Sequence, residues 1–205
     1  MRKLRPSASA LQMPILSVCG GLRSCNSRPA LAAAWLGKFD ELNRLAEEGR
    51  HADAIAIFHH IRALVPDKKR TMLWNTVLKA YANAGDLDGA TSWFDGMLSQ
   101  GVVANAKTFG KLVEASAKAG RPDVAERWLG ALAEMPGAGG MLGEVPCNAV
   151  VDACSKVGEA ERAEAWMARM HDLRLAPSSA TFGTLLGGWA RRGDAAAARR
   201  CAAAM

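Results

Sequence analysis

A glycine returns along this chain at Gly85, Gly120, Gly158 and Gly193, at offsets of 35, 38 and 35 residues. Two other landmarks keep the same step. An alanine follows five residues after each glycine, at Ala90, Ala125, Ala163 and Ala198. A two-residue signature precedes each glycine, as Trp74-Asn75, Phe109-Gly110, Cys147-Asn148 and Phe182-Gly183. Three series in phase are hard to produce by chance, and a period in this range marks a repeat array. This constrains the fold more than any other property. A single unit buries too little apolar surface to stand alone, so each must stack on its neighbours.

Within a unit the pattern is helical. In 71–105, Leu73, Val77, Leu78 and Tyr81 recur at helical spacing and predict helix A over 72–84. Gly85 suits the residue after a helix, where the left-handed conformation is cheap only for glycine. Asp86 can cap helix B, predicted over 87–99 with Ala90, Trp93, Phe94, Met97 and Leu98 apolar, and Gly101 ends it. Units 106–143 and 144–178 predict helices near 107–119, 121–134, 145–157 and 159–172, with Pro122 tolerated in a first turn. The second unit carries its extra residues in the loop Pro136-Gly137-Ala138-Gly139-Gly140, and Pro177 sits in the linker after the third. The fourth unit runs from Ser179 to Met205 without a polar capping helix, which suggests a fragment or association through that end.

Upstream, Trp35 to Arg70 reads as a degenerate copy. Gly49, Ala54 and Phe58 fall 36 residues before Gly85, Ala90 and Phe94. Its helices are expected over Lys38–Glu48 and His51–Ala63, before Val65-Pro66-Asp67 breaks the pattern. The expected fold class is all-α, a right-handed α-solenoid of helix-turn-helix hairpins.

Charge is informative only by its position. The net charge is +6, but Arg2, Lys3, Arg5, Arg23, Arg28 and Lys38 lie in the acid-free segment 1–39. The other 20 of the 26 basic residues face 20 acidic ones, so the body is neutral and net charge makes no case for nucleic acid. Residues 1–34 are basic, free of acid and serine-bearing. That is the composition of an organellar transit peptide, mitochondrial in preference to plastid. The segment is expected to be disordered and is left out of the fold. No run of 18 apolar residues suggests a membrane span.

No constellation points to catalysis, a metal or a cofactor. Cys19, Cys25, Cys147, Cys154 and Cys201 fit no zinc spacing, and their odd count suits no disulfide framework. Cys147 and Cys154 would share a helix face as small buried hydrophobes in a reducing compartment. His51, His59, His60 and His171 are scattered, and Gly137–Gly140 follows no strand. Trp74, Trp93, Trp128 and Trp166 read as core.

Two repeat families have hairpins of this length. The Trp-x2-Leu-Gly-x2-Tyr pattern of the tetratricopeptide repeat is absent. The chain instead resembles the pentatricopeptide repeat family. The first clear unit carries that likeness in Leu73-Trp74-Asn75-Thr76-Val77-Leu78, Asn83-Ala84-Gly85, Ala90, Trp93-Phe94 and Met97. The third carries it in Cys147-Asn148-Ala149-Val150-Val151, Lys156-Val157-Gly158, Ala163, Met170 and Pro177. The fourth adds Thr181-Phe182-Gly183-Thr184-Leu185-Leu186. The likeness covers 71–205 well and 35–70 weakly.

The resemblance implies single-stranded RNA binding in organellar RNA metabolism, without catalysis, at one base per repeat. Carried over, the base-reading pairs are Asn75 with Asn105 and Asn148 with Ser178, which lean to pyrimidines. Met72 and Val145 are the base-packing groups, where the second and fourth units have Lys107 and Ala180. Lys118, Lys156 and Arg191 approach phosphates, and Asn83 holds that position in the first unit. Two units depart from the pattern: Gly110 and Gly183 have no side chain to read with, and the extra loop separates Gly143 from its unit.

A plainer reading stands beside each assignment. Asn75 and Asn148 fall near a helix start, where Asn is an ordinary cap. Lys118 and Lys156 fall in a last turn, where cations suit the helix dipole. Two polar reading pairs specify too little sequence for selectivity, so a protein partner or self-association is expected. A scaffold that binds protein and reads no RNA is the alternative.

Overall fold

The structure, a computed structural model, describes residues 28–135 and 143–203. Among these residues there are ten α-helices and no strand: α1 (Arg28–Glu47), α2 (His51–Ile61), α3 (Arg70–Ala84), α4 (Leu87–Ser99), α5 (Ala106–Lys118), α6 (Pro122–Ala133), α7 (Glu144–Lys156), α8 (Ala160–Asp172), α9 (Ser179–Arg192) and α10 (Ala195–Ala203). They form five consecutive hairpins, the α-solenoid expected from the repeat.

The hairpin turns follow from residue chemistry. Gly85 closes α3 at φ 71° and its N–H bonds to the Ala82 carbonyl, a left-handed cap that a Cβ would strain. Asp86 then accepts from the Gly89 N–H at 2.9 Å and starts α4. Pro122 opens α6 as its first residue, where its missing N–H costs nothing.

Boundaries differ from expectation in two places, both upstream. Helix α1 begins at Arg28, well ahead of Lys38, because the alanine-rich run before Trp35 sustains a helix. The break at Val65-Pro66-Asp67 is itself short. A single 3-10 turn over Asp67–Lys69 leads straight into α3 at Arg70. Asn75 therefore lies in the second turn of its helix and does not cap it. Residues 1–27 and the Pro136–Gly140 loop lie outside the described residues, as do Cys19 and Cys25.

The odd-numbered helices pack on one another in sequence: α1 on α3, α3 on α5, α5 on α7, α7 on α9. Each even-numbered helix but α10, which packs on α9 alone, packs against its own partner and the next odd helix, and no two even helices approach in the same way among the described residues. The odd helices are therefore the tightly spaced inner layer, and the even helices are splayed outside it.

Small residues permit the inner spacing. Ala46, Ala80, Ala82, Ala115, Ala117 and Ala153 are buried between odd helices. At Gly188 an added Cβ would sit 3.5 Å from the Ser155 carbonyl. Larger groups seal the seams between hairpins. Phe58, Trp74 and Trp93 meet with ring centroids 4.6–4.9 Å apart, and Trp93 Nε1 donates to the Trp74 carbonyl at 3.1 Å. Phe94, Phe109 and Trp128 repeat this one hairpin later. The tryptophans pack against the core, as expected, and Trp166 of α8 also donates its Nε1 to Glu126 of α6.

Candidate nucleic-acid interface

The inner layer lines up the starts of the odd helices along one edge and their C-terminal ends along the other: Asn75, Asn105, Asn148 and Ser178 fall near the first, Lys118, Lys156 and Arg191 on the second. Asn75 projects from α3, and Asn105 is the N-cap of α5. Their side chains meet: Asn75 Nδ2 donates to Asn105 Oδ1 at 3.2 Å. Asn105 Oδ1 also accepts from the Thr108 N–H at 3.1 Å, while the Asn105 N–H donates to Thr108 Oγ1 at 3.1 Å. Asn105 is thus half of a capping box as well as half of a predicted reading pair. Thr108 Oγ1 in turn donates to Asn75 Oδ1 at 2.8 Å.

The second pair is arranged differently. Ser178 caps α9, accepting from the Thr181 N–H at 3.1 Å, and its hydroxyl lies 2.8 Å from Thr181 Oγ1. It does not reach Asn148. Asn148 Oδ1 is buried with no hydrogen-bond partner. A buried amide oxygen left in this way costs free energy until a donor arrives.

The base-packing positions are open to solvent. Met72 is 38% and Val145 78% exposed, among the few large apolar side chains that the fold leaves uncovered. Lys107 and Ala180 are exposed as well. Gly110 and Gly183 lie in helix interiors, and a Cβ at either would meet nothing within 4 Å. Neither glycine is there for want of room.

The predicted phosphate column does structural work too. Asn83 Nδ2 reaches back to the Ala46 carbonyl at 2.7 Å, Lys118 Nζ to Asn83 Oδ1 at 2.8 Å, and Arg191 Nη2 to the Ser155 carbonyl at 2.8 Å. Each ties the end of one odd helix to the end of the previous one. Lys156 instead pairs with Asp152 one turn earlier at 2.5 Å. Sequence reasoning missed the acids on this edge. Glu114 faces both Lys111 at 2.7 Å and Lys118 at 3.2 Å, and Lys79 pairs with Glu47 at 3.1 Å. Burial pushes the Glu114 carboxyl up, but the two lysines outweigh it and hold it below the usual range. The i,i+4 spacing of Glu114 with Lys118 and Asp152 with Lys156, and the i,i+3 spacing of Lys111 with Glu114, was the signal that would have revealed the local pairs; nothing local announces Lys79 with Glu47.

The cysteines behave as packing groups. Cys147, Cys154 and Cys201 are buried, and burial raises their thiols, Cys154 to about 11. Among the described residues no three His, Cys, Asp or Glu side chains gather as a metal site. No described helix is long and apolar enough to cross a membrane.

The hairpin architecture matches solved structures. The PPR domain of Arabidopsis thaliana protein-only RNase P 1 (PRORP1), solved in complex with tRNA, is 16% identical with a TM-score of 0.60, over 79% of this chain and 83% of that one. The pentatricopeptide repeat protein PPR10, known from maize and solved with an 18-nt psaJ RNA element, is 24% identical with a TM-score of 0.65. There the match takes in 86% of this chain but 27% of that one. Nuclear proteinaceous RNase P 2 (PRORP2) from A. thaliana is 17% identical with a TM-score of 0.62, over 82% of this chain and 37% of that one. A search of curated protein sequences returned no match. A family model described as the pentacotripeptide-repeat region of PRORP matches residues 66–205, well over half the chain. On that match, and on hairpins that repeat in phase with it, the chain belongs to the pentatricopeptide repeat family.

Proposed function

We propose that this chain binds single-stranded RNA along the edge where the odd helices begin, leaning to pyrimidines, as a non-catalytic adaptor in organellar RNA metabolism. The observation that carries the reading is the meeting of Asn75 and Asn105. They lie 30 residues apart in sequence, yet their amides touch at the seam between adjacent hairpins. The exposed Met72 precedes Asn75 on α3, and two odd helices further along the edge α7 carries the exposed Val145. Amides beside open apolar groups are suited to hold a base by its edge and its face. The chemistry these residues offer is hydrogen bonding, stacking and charge, not an activated nucleophile.

Lys118, Lys156 and Arg191, in the last turns at the far ends of the same odd helices, supply the phosphate side. Their acids and carbonyl partners leave a modest net charge, so affinity should depend only moderately on salt. The basic, acid-free leader supports a mitochondrial location, with the plastid as the alternative. Two reading pairs select too weakly for a transcriptome, so a protein partner or a second copy is part of this proposal.

The test is fluorescence anisotropy of the full chain with short oligo-C, oligo-U, oligo-A and oligo-G across a salt series. A folded tRNA serves as a further arm, because a similar structure holds one. The expected result is tighter binding to C and U, persisting as salt rises and lost in Asn75→Ala with Asn148→Ala while the helical content stays intact. Absence of binding at low salt would overturn the proposal in favour of a protein-binding scaffold, a reading that Gly110 and Gly183 favour.

A further inference from the structure

We infer that each pyrimidine site contains a third side chain, a threonine supplied by the following odd helix: Thr108 for Asn75 and Thr181 for Asn148. The inference rests on the RNA reading above and extends it to residues that contribute through another side chain.

At the first site the hydrogen-bond count fixes the geometry. Thr108 is fully buried. Its Oγ1 accepts from the Asn105 N–H, so its single hydrogen is available for one acceptor. The nearer acceptor is Asn75 Oδ1 at 2.8 Å, against 3.2 Å for Asn105 Oδ1, which already takes two donors. An amide has nearly the same shape either way round, but its two ends are chemically opposite. A hydroxyl fixed onto Oδ1 sets which end faces where. With Oδ1 held by α5, Asn75 has one N–H left for a ligand and Asn105 has two. The pair presents donors, and pyrimidines carry acceptors at O2 and, in cytosine, at N3.

The second site has the same residues at the same register. Thr181 follows Asn148 by the 33 residues that separate Thr108 from Asn75. It is 4% exposed, and its hydroxyl shares a hydrogen bond with Ser178 in which either atom can donate. Thr181 Oγ1 makes no hydrogen bond to Asn148 in this arrangement; when Ser178 donates, the Thr181 hydrogen is free, and the acceptor without a partner at this seam, toward which a small side-chain shift would turn it, is Asn148 Oδ1.

The sequence supports the grouping independently. Threonine stands at this position only in the units that follow an asparagine. After Gly110, which has no amide to orient, the corresponding residue is Pro146. Thr108 and Thr181 are positioning residues: neither is required to touch RNA.

The experiment isolates one site by working in the Asn148→Ala background, where base preference rests on Asn75. Oligo-C and oligo-A affinities are compared for Thr108→Val, which keeps the shape and removes the hydroxyl, and for Thr108→Ser, which keeps the hydroxyl. Thr108→Val should lower the C-over-A preference by about tenfold, the order of one lost base contact, to the level of Asn75→Ala. Thr108→Ser should retain it. A lost capping box would weaken stability without changing the ratio, and thermal melts of both variants measure that separately. If Thr108→Val discriminates as well as its parent, the role of Thr108 is refuted while RNA reading stands. If the unmodified chain shows no base preference at all, the RNA reading itself fails and the positioning role falls with it.

Discussion

Arg162 on α8 holds the carboxylate of Glu126 on α6 with two nitrogens, Nε at 2.8 Å and Nη2 at 2.7 Å. Trp166 Nε1 donates to the same carboxylate at 2.5 Å. Even helices do not pack directly on one another, so this clamp is a rare tie across the outer layer. At the next seam the ion pair runs from the outer to the inner layer instead, between Glu161 on α8 and Arg192 on α9.

The clamp gives the first prediction. Arg162 holds the Glu126 carboxyl below the ordinary glutamate range, against the opposing effect of burial. A depressed folded-state pKa means that the stabilisation is complete above about pH 4.3, the unfolded value, and is lost as pH falls through the lower folded value. Glu126→Gln should cost about 1 kcal/mol at neutral pH, kept modest because both partners remain partly solvated. The difference between variant and parent should shrink below about pH 4. Urea denaturation at neutral and acid pH checks both statements. Equal stability at pH 7 would show that the clamp contributes nothing.

Asn105 and Asn75 should separate by stability. Asn105 caps α5, so Asn105→Ala should cost about 1 kcal/mol. Asn75 caps no helix, and Asn75→Ala should cost about half as much while affecting RNA preference equally. Chemical denaturation beside the anisotropy assay gives both quantities.

Glycine substitutions should go in opposite directions. Gly110→Ala should stabilise by about 0.5–1 kcal/mol, because the position is helical and a Cβ meets open space. Gly49→Ala should destabilise by about 1–2 kcal/mol or more. It sits at φ 72°, with a Cβ only 3.2 Å from the Ala84 nitrogen. Differential scanning calorimetry distinguishes the signs. The open space at Gly110 also invites Gly110→Asn with Pro146→Thr, which should add cytosine preference where Gly110→Asn alone should not.

Three thiols, all among the described residues, should be silent in the folded chain. Cys147, Cys154 and Cys201 are buried with raised pKa values, so iodoacetamide at pH 8 should modify none of them within the time that labels a free thiol. Labelling should become fast in urea. Mass spectrometry of tryptic peptides reads each site, and rapid native labelling of Cys154 would contradict its packing.

Much of the architecture was legible in the residues. The glycine period placed the turns, because a left-handed cap is a local demand that Gly85 meets by itself. Asp86 and Pro122 marked helix starts for equally local reasons. Helix α1 was misjudged, since the alanines before Trp35 carry no amphipathic pattern, although they sustain a helix.

Lys118, Lys156 and Arg191 lie in the last turns of their helices, where the repeat register puts them. Two of their partners were not legible, because Asn83 and Ser155 come within reach of Lys118 and Arg191 only once odd helices stack. Sequence by itself determined the repeat, its hairpins and the residues at each register, all of which follow from short-range sterics and hydrogen bonding. Tertiary structure decided what those residues do to one another. Packing α3 on α5 brings Asn75, Asn105 and Thr108 into one network. Packing α7 on α9 leaves Asn148 Oδ1 buried without a partner. The residue types at the two seams are nearly alike, and the difference lies in side-chain reach: the hydroxyl of Ser178 ends short of Asn148, where the amide of Asn105 meets Asn75.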